Sequence, residues 1–143
     1  MPARIDLPDV NFWLGYSVAD HVHHERAKAY WHDVSAERVA FCRITALGFL
    51  RLSTNANVMA GAPLSVAEAW RAYVALRRAP EIELAAEPAD CEAAIERIVL
   101  GAVLPARMWT DAYLAAFAIS GKMRLISFDA DFGRFDGLDF LLL

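Results

Sequence analysis

The sequence contains no apolar run long enough to cross a membrane, although 57% of its 143 residues are hydrophobic and its mean hydropathy is +0.29. A membrane-spanning helix needs about 20 consecutive apolar residues. The best candidate, residues 108–120, is interrupted by Asp111 and followed by Gly121 and Lys122. We therefore expect no membrane association, and we expect the surplus apolar side chains to fill a large core, a protein interface, or both.

Secretion signals, disulfide scaffolds and zinc motifs are also missing. Arg4 and Asp6 interrupt the N-terminal segment, and no apolar stretch there precedes a small-residue cleavage site, which predicts a cytoplasmic protein. The two cysteines, Cys42 and Cys91, are far apart and lie in apolar or helical segments. We expect buried thiols, with a disulfide as the less favoured alternative. Because no CxxC motif is present, a zinc site is not expected.

An excess of positive charge is absent as well. The chain has 14 Lys and Arg residues against 18 Asp and Glu, a formal net charge of −4, and a pI near 5.5. A generally basic surface for holding nucleic acid is therefore lacking, which disfavours a simple DNA-binding module. An enzyme that meets nucleic acid only at a local arginine-lined cleft is still compatible with this charge.

What the sequence does contain is a series of short apolar strands that alternate with helical patterns. Strands are predicted at residues 5–10, 38–42, 82–84, 124–128 and 140–142. Helices are predicted at residues 11–16, 23–34, 65–78 and 89–100, with one more beginning near Thr45. A last helix is predicted to start at Thr110 or Asp111, and Gly121 is expected to follow it as its cap. This alternation favours an α/β fold with a largely parallel sheet. No linker or repeat divides the chain, so we predict a single domain over residues 1–143.

Three aspartates stand where such a sheet would place a binding site. Asp9 and Asp129 follow predicted strands, and Asp111 begins a predicted helix. Ligands of open parallel sheets bind outside the carboxyl ends of the strands. Taken singly, Asp111 is interpreted as a helix cap and the other two as turn residues. Their joint occurrence favours a shared site, because a hard cation such as Mg²⁺ relieves the repulsion between converging carboxylates. With no P-loop and no nucleophilic serine motif, this predicts metal-dependent phosphodiester hydrolysis.

Other polar side chains are candidates for supporting that site. Ser127 could hydrogen-bond a metal-bound water, and Asp131 is a further carboxylate next to Asp129. Arginine suits bidentate contacts with phosphate, although surface ion pairs are the equal alternative. The candidate phosphate contacts are Arg43, Arg51 and Arg107. The histidines at 21, 23, 24 and 32 are expected to form a solvated helix entrance rather than a metal cluster.

The order of these motifs resembles that of the PIN-domain ribonucleases, particularly the toxins of VapBC-type toxin–antitoxin pairs. LPDVNFWL is similar to the first motif of the family, in which Asp9 would be a metal ligand and Asn11 its neighbour. WTDAYLAAFA and LISFDADF resemble the motifs that would supply Asp111 and Asp129. DHVHHERAKAYW and RITALGFLRLSTN are similar to the second and third helices. The resemblance covers nearly the whole chain.

The resemblance implies a PIN-like three-layer α/β sandwich, with a central, mainly parallel sheet flanked by helices. It implies a metal-dependent endoribonuclease toxin in which Asp9, Asp111 and Asp129 are both catalytic residues and ligands of Mg²⁺ or Mn²⁺. It also implies RNA as the substrate, a cognate antitoxin as the partner that neutralises the enzyme, and a homodimer.

Ala46 departs from the family pattern. Family members generally carry Glu, or in this branch often Gln, at the position after Thr45, and alanine can neither ligate a metal nor accept a proton. Three explanations stay open: the remaining carboxylates and water hold the metal, Asp131 or a nearby residue compensates, or the site is impaired. In the last case the protein would act mainly through antitoxin binding. A phosphohydrolase with an N-terminal Asp nucleophile is disfavoured, because DVNFW lacks the second Asp and the Gly-Thr of such enzymes.

Overall fold

The computed structural model describes residues 3–143, which form a sheet of five strands and six α-helices. The strands are β1 Ile5–Pro8, β2 Arg38–Phe41, β3 Ile82–Leu84, β4 Arg124–Ser127 and β5 Phe140–Leu142. The helices are α1 Val10–Ser17, α2 His24–Asp33, α3 Arg43–Ser53, α4 Val66–Arg77, α5 Cys91–Gly101 and α6 Trp109–Gly121. Two short 3-10 helices, Ala106–Met108 and Ala130–Arg134, precede α6 and follow β4.

The five strands are all parallel and lie in the order β3-β2-β1-β4-β5. The predicted α/β class with a mainly parallel sheet is therefore confirmed. From β1 the chain moves outward to β2 and β3, then returns to β4 on the other side of β1. The strand order thus reverses between β1 and β4, the point where open parallel sheets bind ligands. The N–H of Asp9 donates to the Ile126 carbonyl across this point at 2.8 Å.

Side chains from the two faces of the sheet enter two separate cores. Val39 and Phe41 pack on the side covered by α1 to α4, whereas Ala40 and Leu125 pack on the side of α5 and α6. Neighbouring strand residues point to opposite faces, so a sheet covered on both faces requires nearly continuous apolar strands. The result is the predicted three-layer sandwich. Among the helices of residues 3–143, none has both the length and the apolar character needed to cross a bilayer.

Several boundaries differ from the sequence prediction. β1 ends at Pro8, and Asp9 is the N-cap of α1, where its carboxylate accepts a hydrogen bond from the Val10 N–H at 2.7 Å. α6 begins at Trp109, two residues before Asp111. It includes Gly121, and the left-handed cap residue is Lys122, with φ of 55°. The predicted role of Gly121 as the cap is therefore wrong.

A buried ionic network joins the first and fourth strands. Asp6 is fully buried, and Arg124, its register partner on β4, donates to it from Nε and Nη2 at 2.9 and 2.8 Å. Tyr30 on α2 adds a hydrogen bond from its hydroxyl at 2.6 Å. The hydrogen bond to Asp6 raises the pKa of Arg124, and burial followed by the same carboxylate raises the pKa of Tyr30. The sequence pattern did not reveal this network.

Small and buried side chains allow close packing near the carboxyl edge of the sheet. A Cβ at Gly48 would lie 2.6 Å from Cγ2 of Val10, so α3 approaches α1 this closely only with glycine there. Val10 directly follows Asp9, and this contact therefore helps to set the start of α1. Cys42 and Cys91 are both buried free thiols, as predicted.

Candidate functional site

The candidate site lies at the carboxyl edge of the sheet, around the point where the strand order reverses. Asp9 directly follows β1, and Asp129 lies two residues after the end of β4. Asp111 lies in the first turn of α6. Because β1 and β4 are neighbours in the sheet, their ends bring the first two aspartates together. α6, which packs on β4, brings the third.

Ser127, the last residue of β4, links the first and last of these aspartates. Its buried hydroxyl donates to Oδ2 of Asp9 at 3.3 Å and accepts the backbone N–H of Asp129 at 3.0 Å. The side-chain amide of Asn11 also donates to this hydroxyl, at 3.1 Å. Ser127 therefore fixes the separation of the two carboxylate-bearing segments, and Asn11 holds the serine in place.

Local hydrogen bonds to Asp9 offset only part of the cost of burying its carboxylate. Burial raises the pKa of its carboxyl group, and the nearby charge of Asp129 raises it further. The hydrogen bonds from the Val10 N–H and from Ser127 lower it. Burial is the largest of these effects, so Asp9 is a carboxylate that gains by meeting a positive charge.

Asp111 shows most clearly that the three carboxylates converge. Its pKa is raised to about 6, first by burial and then by the charges of Asp9, Asp129 and Asp131, with Arg107 opposing them. The predicted alternative, that Asp111 is a helix cap, does not match the structure. The N-cap of α6 is Met108, and the Asp111 side chain lies inside the first turn. The carboxylate is therefore available to a ligand.

The chemistry of these donors fits a hard divalent cation. Within residues 3–143, no three His, Cys, Asp or Glu side chains form a ready-made metal cage. Neighbouring aspartate charges still raise the pKa of Asp9 and of Asp111, and the three side chains offer only oxygen ligands. Magnesium typically binds through one or two carboxylates and keeps several waters, so a direct cage of three ligands is not required. The residues present thus fit a cation held partly through water.

Asp131 and Arg107 lie together at the edge of the site. Arg107 Nη1 is 3.6 Å from Oδ2 of Asp131, and the Arg107 side chain is mostly exposed whereas that of Asp131 is less than half exposed. The backbone N–H of Asp131 donates to Oδ1 of Asp129 at 2.9 Å. Arg107 precedes α6 within the 3-10 helix that leads into it, so the structure brings this cation close to the acidic group.

The other two candidate arginines differ in position. Arg43 is exposed and begins α3, immediately after β2 and its cap residue, at the same edge as the aspartates. Arg51 lies in the last turn of α3. At 1.5 Å per residue this is about 12 Å along the helix axis from Arg43. The structure therefore brings Arg43 and Arg107 to the site's edge but does not bring Arg51 there.

Ala46 is fully buried in the core on the side of α1 to α4. Its neighbour Thr45 turns back to the start of α3, where its hydroxyl accepts the N–H of Cys42 at 3.0 Å and bonds the Cys42 carbonyl at 3.1 Å. Neither side chain supplies a carboxylate at this end of α3. Asp131, in contrast, lies close enough to raise the pKa of Asp111.

Sequence reasoning missed a cluster beside the site, formed by His23, Arg26 and Phe128. The His23 ring stacks on Phe128, with centroids 4.1 Å apart and an interplanar angle of 8°. These residues come from opposite ends of the chain, so no local spacing could have joined them. The only sequence signal was the position of Phe128 directly before Asp129.

Comparison with known proteins agrees with this architecture. The family model described as PIN domain matches residues 7–138. Ribonuclease VapC41 of Mycobacterium tuberculosis is 38% identical over 142 residues, covering 96% of this chain and 97% of the relative. The structure of VapC20 from the same organism, described as a Sarcin-Ricin loop cleaving toxin, superposes with a TM-score of 0.69 at 19% sequence identity. The match covers 94% of this chain and 97% of VapC20. The structure of VapBC2 from Rickettsia felis, solved bound to a promoter DNA fragment, superposes with a TM-score of 0.64 at 12% sequence identity. The match covers 96% of this chain and 98% of the other.

Proposed function

The chain belongs to the PIN-domain family, and we propose that it is a metal-dependent endoribonuclease, the toxin of a type II toxin–antitoxin pair. The observation that carries this proposal is the convergence of Asp9, Asp111 and Asp129 where the strand order reverses. The raised pKa of Asp111, caused in part by the charges of Asp9 and Asp129, is the electrostatic result of this convergence. We take residues 3–143 to be one such domain, acting in the cytoplasm.

The three aspartates hold a divalent cation, Mg²⁺ or Mn²⁺. When bound, this cation supplies activation of water and stabilisation of charge on the phosphoryl group. Asp9 presents a carboxylate whose oxygens are both oriented, one by the Val10 N–H and the other by Ser127. Asn11 keeps Ser127 in position. Asp131 adds negative charge beside the trio.

Arginines near the trio contact the RNA backbone. Arg107 and Arg43 lie at the same edge of the sheet as the aspartates, and guanidinium groups suit phosphate geometry. Arg51, a third candidate, lies farther along α3 and would contact only a more distant part of an RNA strand. In the absence of RNA, Arg107 pairs with Asp131, so phosphate binding competes with this ion pair.

Exposed apolar side chains support protein partners, which we take to be a cognate antitoxin and a second copy of the chain. Monomeric proteins rarely expose large contiguous apolar patches. One group lies on α3 and α4, and another on and between α5 and α6. The first contains Leu47, Val66 and Trp70, and the second contains Leu100, Val103 and Trp109.

Cleavage of single-stranded RNA by the purified chain tests the catalytic proposal. We expect cleavage with Mg²⁺ or Mn²⁺, none with EDTA, and a loss of at least about a hundredfold for Asp9→Asn. Asp136→Asn is the matched control, because Asp136 is an exposed aspartate outside the site. Cleavage that survives both EDTA and Asp9→Asn would remove the metal-dependent mechanism.

The Ala46→Glu variant tests whether the wild-type site is fully active or impaired. If the buried alanine is a defect, the variant should cut RNA faster than the wild-type chain with Mn²⁺. Equal rates would show that the remaining aspartates suffice. The sequence identity between this chain and proteins named as ribonucleases favours an active enzyme over a module that acts only by binding antitoxin.

A further inference from the structure

A stack of three side chains lies beside the acidic site, on the side of the sheet that α1 to α4 cover. The His23 ring lies on Phe128, and Cζ of Arg26 is 5.0 Å from the centroid of the same ring. Nη2 of Arg26 donates to Nδ1 of His23. Phe128 directly precedes Asp129, and its backbone N–H bonds to Oδ1 of Asn11 at 3.4 Å. The stack is therefore joined to residues of the proposed catalytic site.

The segment that carries His23 is held firmly in place. The backbone N–H of His23 donates to Nδ1 of His21 at 3.1 Å, and the His24 ring bonds the Gly15 carbonyl at 2.8 Å. A Cβ at Gly15 would lie only 3.3 Å from Cβ of His23, so α1 packs closely against this segment. The position of His23, and of the arginine it contacts, is thus set by the fold.

Arg26 is a cation with unused hydrogen-bond donors. Its side chain is exposed, and besides the bond to His23 it donates one hydrogen bond, from Nη1 to the main-chain oxygen of Leu143 at 3.4 Å. A guanidinium group has five N–H donors, of which these contacts use two. None of the ion pairs found among residues 3–143 includes Arg26.

The His23 contact keeps the arginine fork oriented. A guanidinium can only donate, so Nδ1 of His23 must accept and cannot carry a proton. Burial lowers the pKa of His23, and the charge of Arg26 lowers it further, which favours this neutral ring. A guanidinium restrained by an aromatic ring and an acceptor loses less side-chain freedom when it binds phosphate.

We propose that Arg26, oriented by His23 and Phe128, contacts a phosphate of the RNA strand that flanks the bond to be cut. This inference rests on the proposed ribonuclease function. The chain carries a net charge of −4, so its contacts with a polyanion depend on local cations of this kind. Arg26 is such a cation, restrained and next to the segment that bears Asp129.

Binding of a labelled, mixed-sequence single-stranded RNA in EDTA, without cleavage, tests this contact. For Arg26→Gln we expect about a tenfold weaker affinity. Each phosphate contact contributes about 0.7 to the slope of log K against log salt for a single strand, so the slope should fall by that amount. Arg71→Gln, which removes an exposed arginine from α4, is the matched control and should change neither quantity.

Two further measurements separate a phosphate contact from a structural effect. Arg26→Lys keeps the charge, so it should keep the salt slope while losing part of the affinity. In cleavage assays with Mn²⁺, Arg26→Gln should raise KM and leave kcat nearly unchanged.

If the wild-type chain cuts RNA and Arg26→Gln matches Arg71→Gln in affinity and slope, the Arg26 contact is overturned and the ribonuclease function stands. A fall in kcat with an unchanged salt slope overturns it too. If the wild-type chain cuts no RNA with either metal, the proposed function fails, and this contact fails with it.

Discussion

Replacing Asp111 with asparagine should stabilise the metal-free protein at alkaline pH. The wild-type carboxyl has a pKa of about 6, raised from 3.8 by burial and by the charges of Asp9, Asp129 and Asp131. In the folded state its charged form is therefore disfavoured. Asparagine has nearly the same shape and cannot ionise, so the Asp111→Asn variant avoids this cost.

The size of the effect follows from the raised pKa. The full difference between the pKa of about 6 in the folded protein and the ordinary value of 3.8 corresponds to about 3 kcal/mol, at 1.36 kcal/mol per pH unit. Because the Asp111 side chain is only partly buried, solvent screening reduces this to roughly 1 kcal/mol. The folded pKa lies above the unfolded one, so the stabilising contribution is complete below about pH 4 and is lost as pH rises through about 6.

Urea unfolding in EDTA at pH 4.5 and pH 8 measures this contribution. We expect Asp111→Asn to be more stable than the wild-type chain by roughly 1 kcal/mol at pH 8 and by only about a third of that at pH 4.5. Saturating Mn²⁺ at pH 8 should reverse the order, because a ligand at 100 times its Kd adds about 2.7 kcal/mol to a protein that binds it. Asp136→Asn serves as the control.

Two results would refute this reasoning. If Asp111→Asn were no more stable than the wild-type chain at pH 8 in EDTA, burial and the neighbouring aspartates would not disfavour the Asp111 carboxylate as the structure indicates. If the gain were the same at both pH values, it would come from packing rather than from ionisation. In either case the electrostatic argument for a cation site would lose its main support.

Two other perturbations test the scaffold. Arg124→Met should lower the free energy of unfolding by about 3–5 kcal/mol in urea titrations, because it leaves the buried Asp6 carboxylate unpaired. Adding Asp6→Asn should recover part of that loss, and no recovery would contradict the assigned pairing. Ser127→Ala should weaken Mn²⁺ binding, measured by calorimetry, by about 10- to 100-fold, because it releases Asp9 and Asp129 from their shared hydroxyl. Unchanged affinity would exclude that role.

Local patterns in the sequence predicted much of the fold. The apolar segments around Val39 and Leu125 are strands, because a sheet covered on both faces buries consecutive residues. The helix predicted at residues 65–78 is α4, which starts at a capping box of Ser65 and Glu68 with both reciprocal hydrogen bonds present. The start of α6 was missed, because Met108 caps it without a side-chain hydrogen bond and so leaves no sequence signal.

The candidate site was predicted only in part. The resemblance supplied Asp9, Asp111 and Asp129 as metal ligands, and the structure brings them to one edge. Their metal-binding role stays a prediction, because no ready-made cage is present among residues 3–143. The position of Arg51 in the last turn of α3 could not be foreseen, because the direction of a helix relative to the sheet is a property of the whole fold.

The sequence by itself determined the α/β class and the residue types available for chemistry. Hydrophobic period, capping residues and breakers act over a few neighbouring positions, and these can be read directly from the sequence. Tertiary structure alone decided which distant groups meet. The pairing of Asp6 with Arg124, the Ser127 link between two aspartates and the stacking of His23 on Phe128 each depend on strand order and register. Those are set by the packing of the whole chain around its two cores.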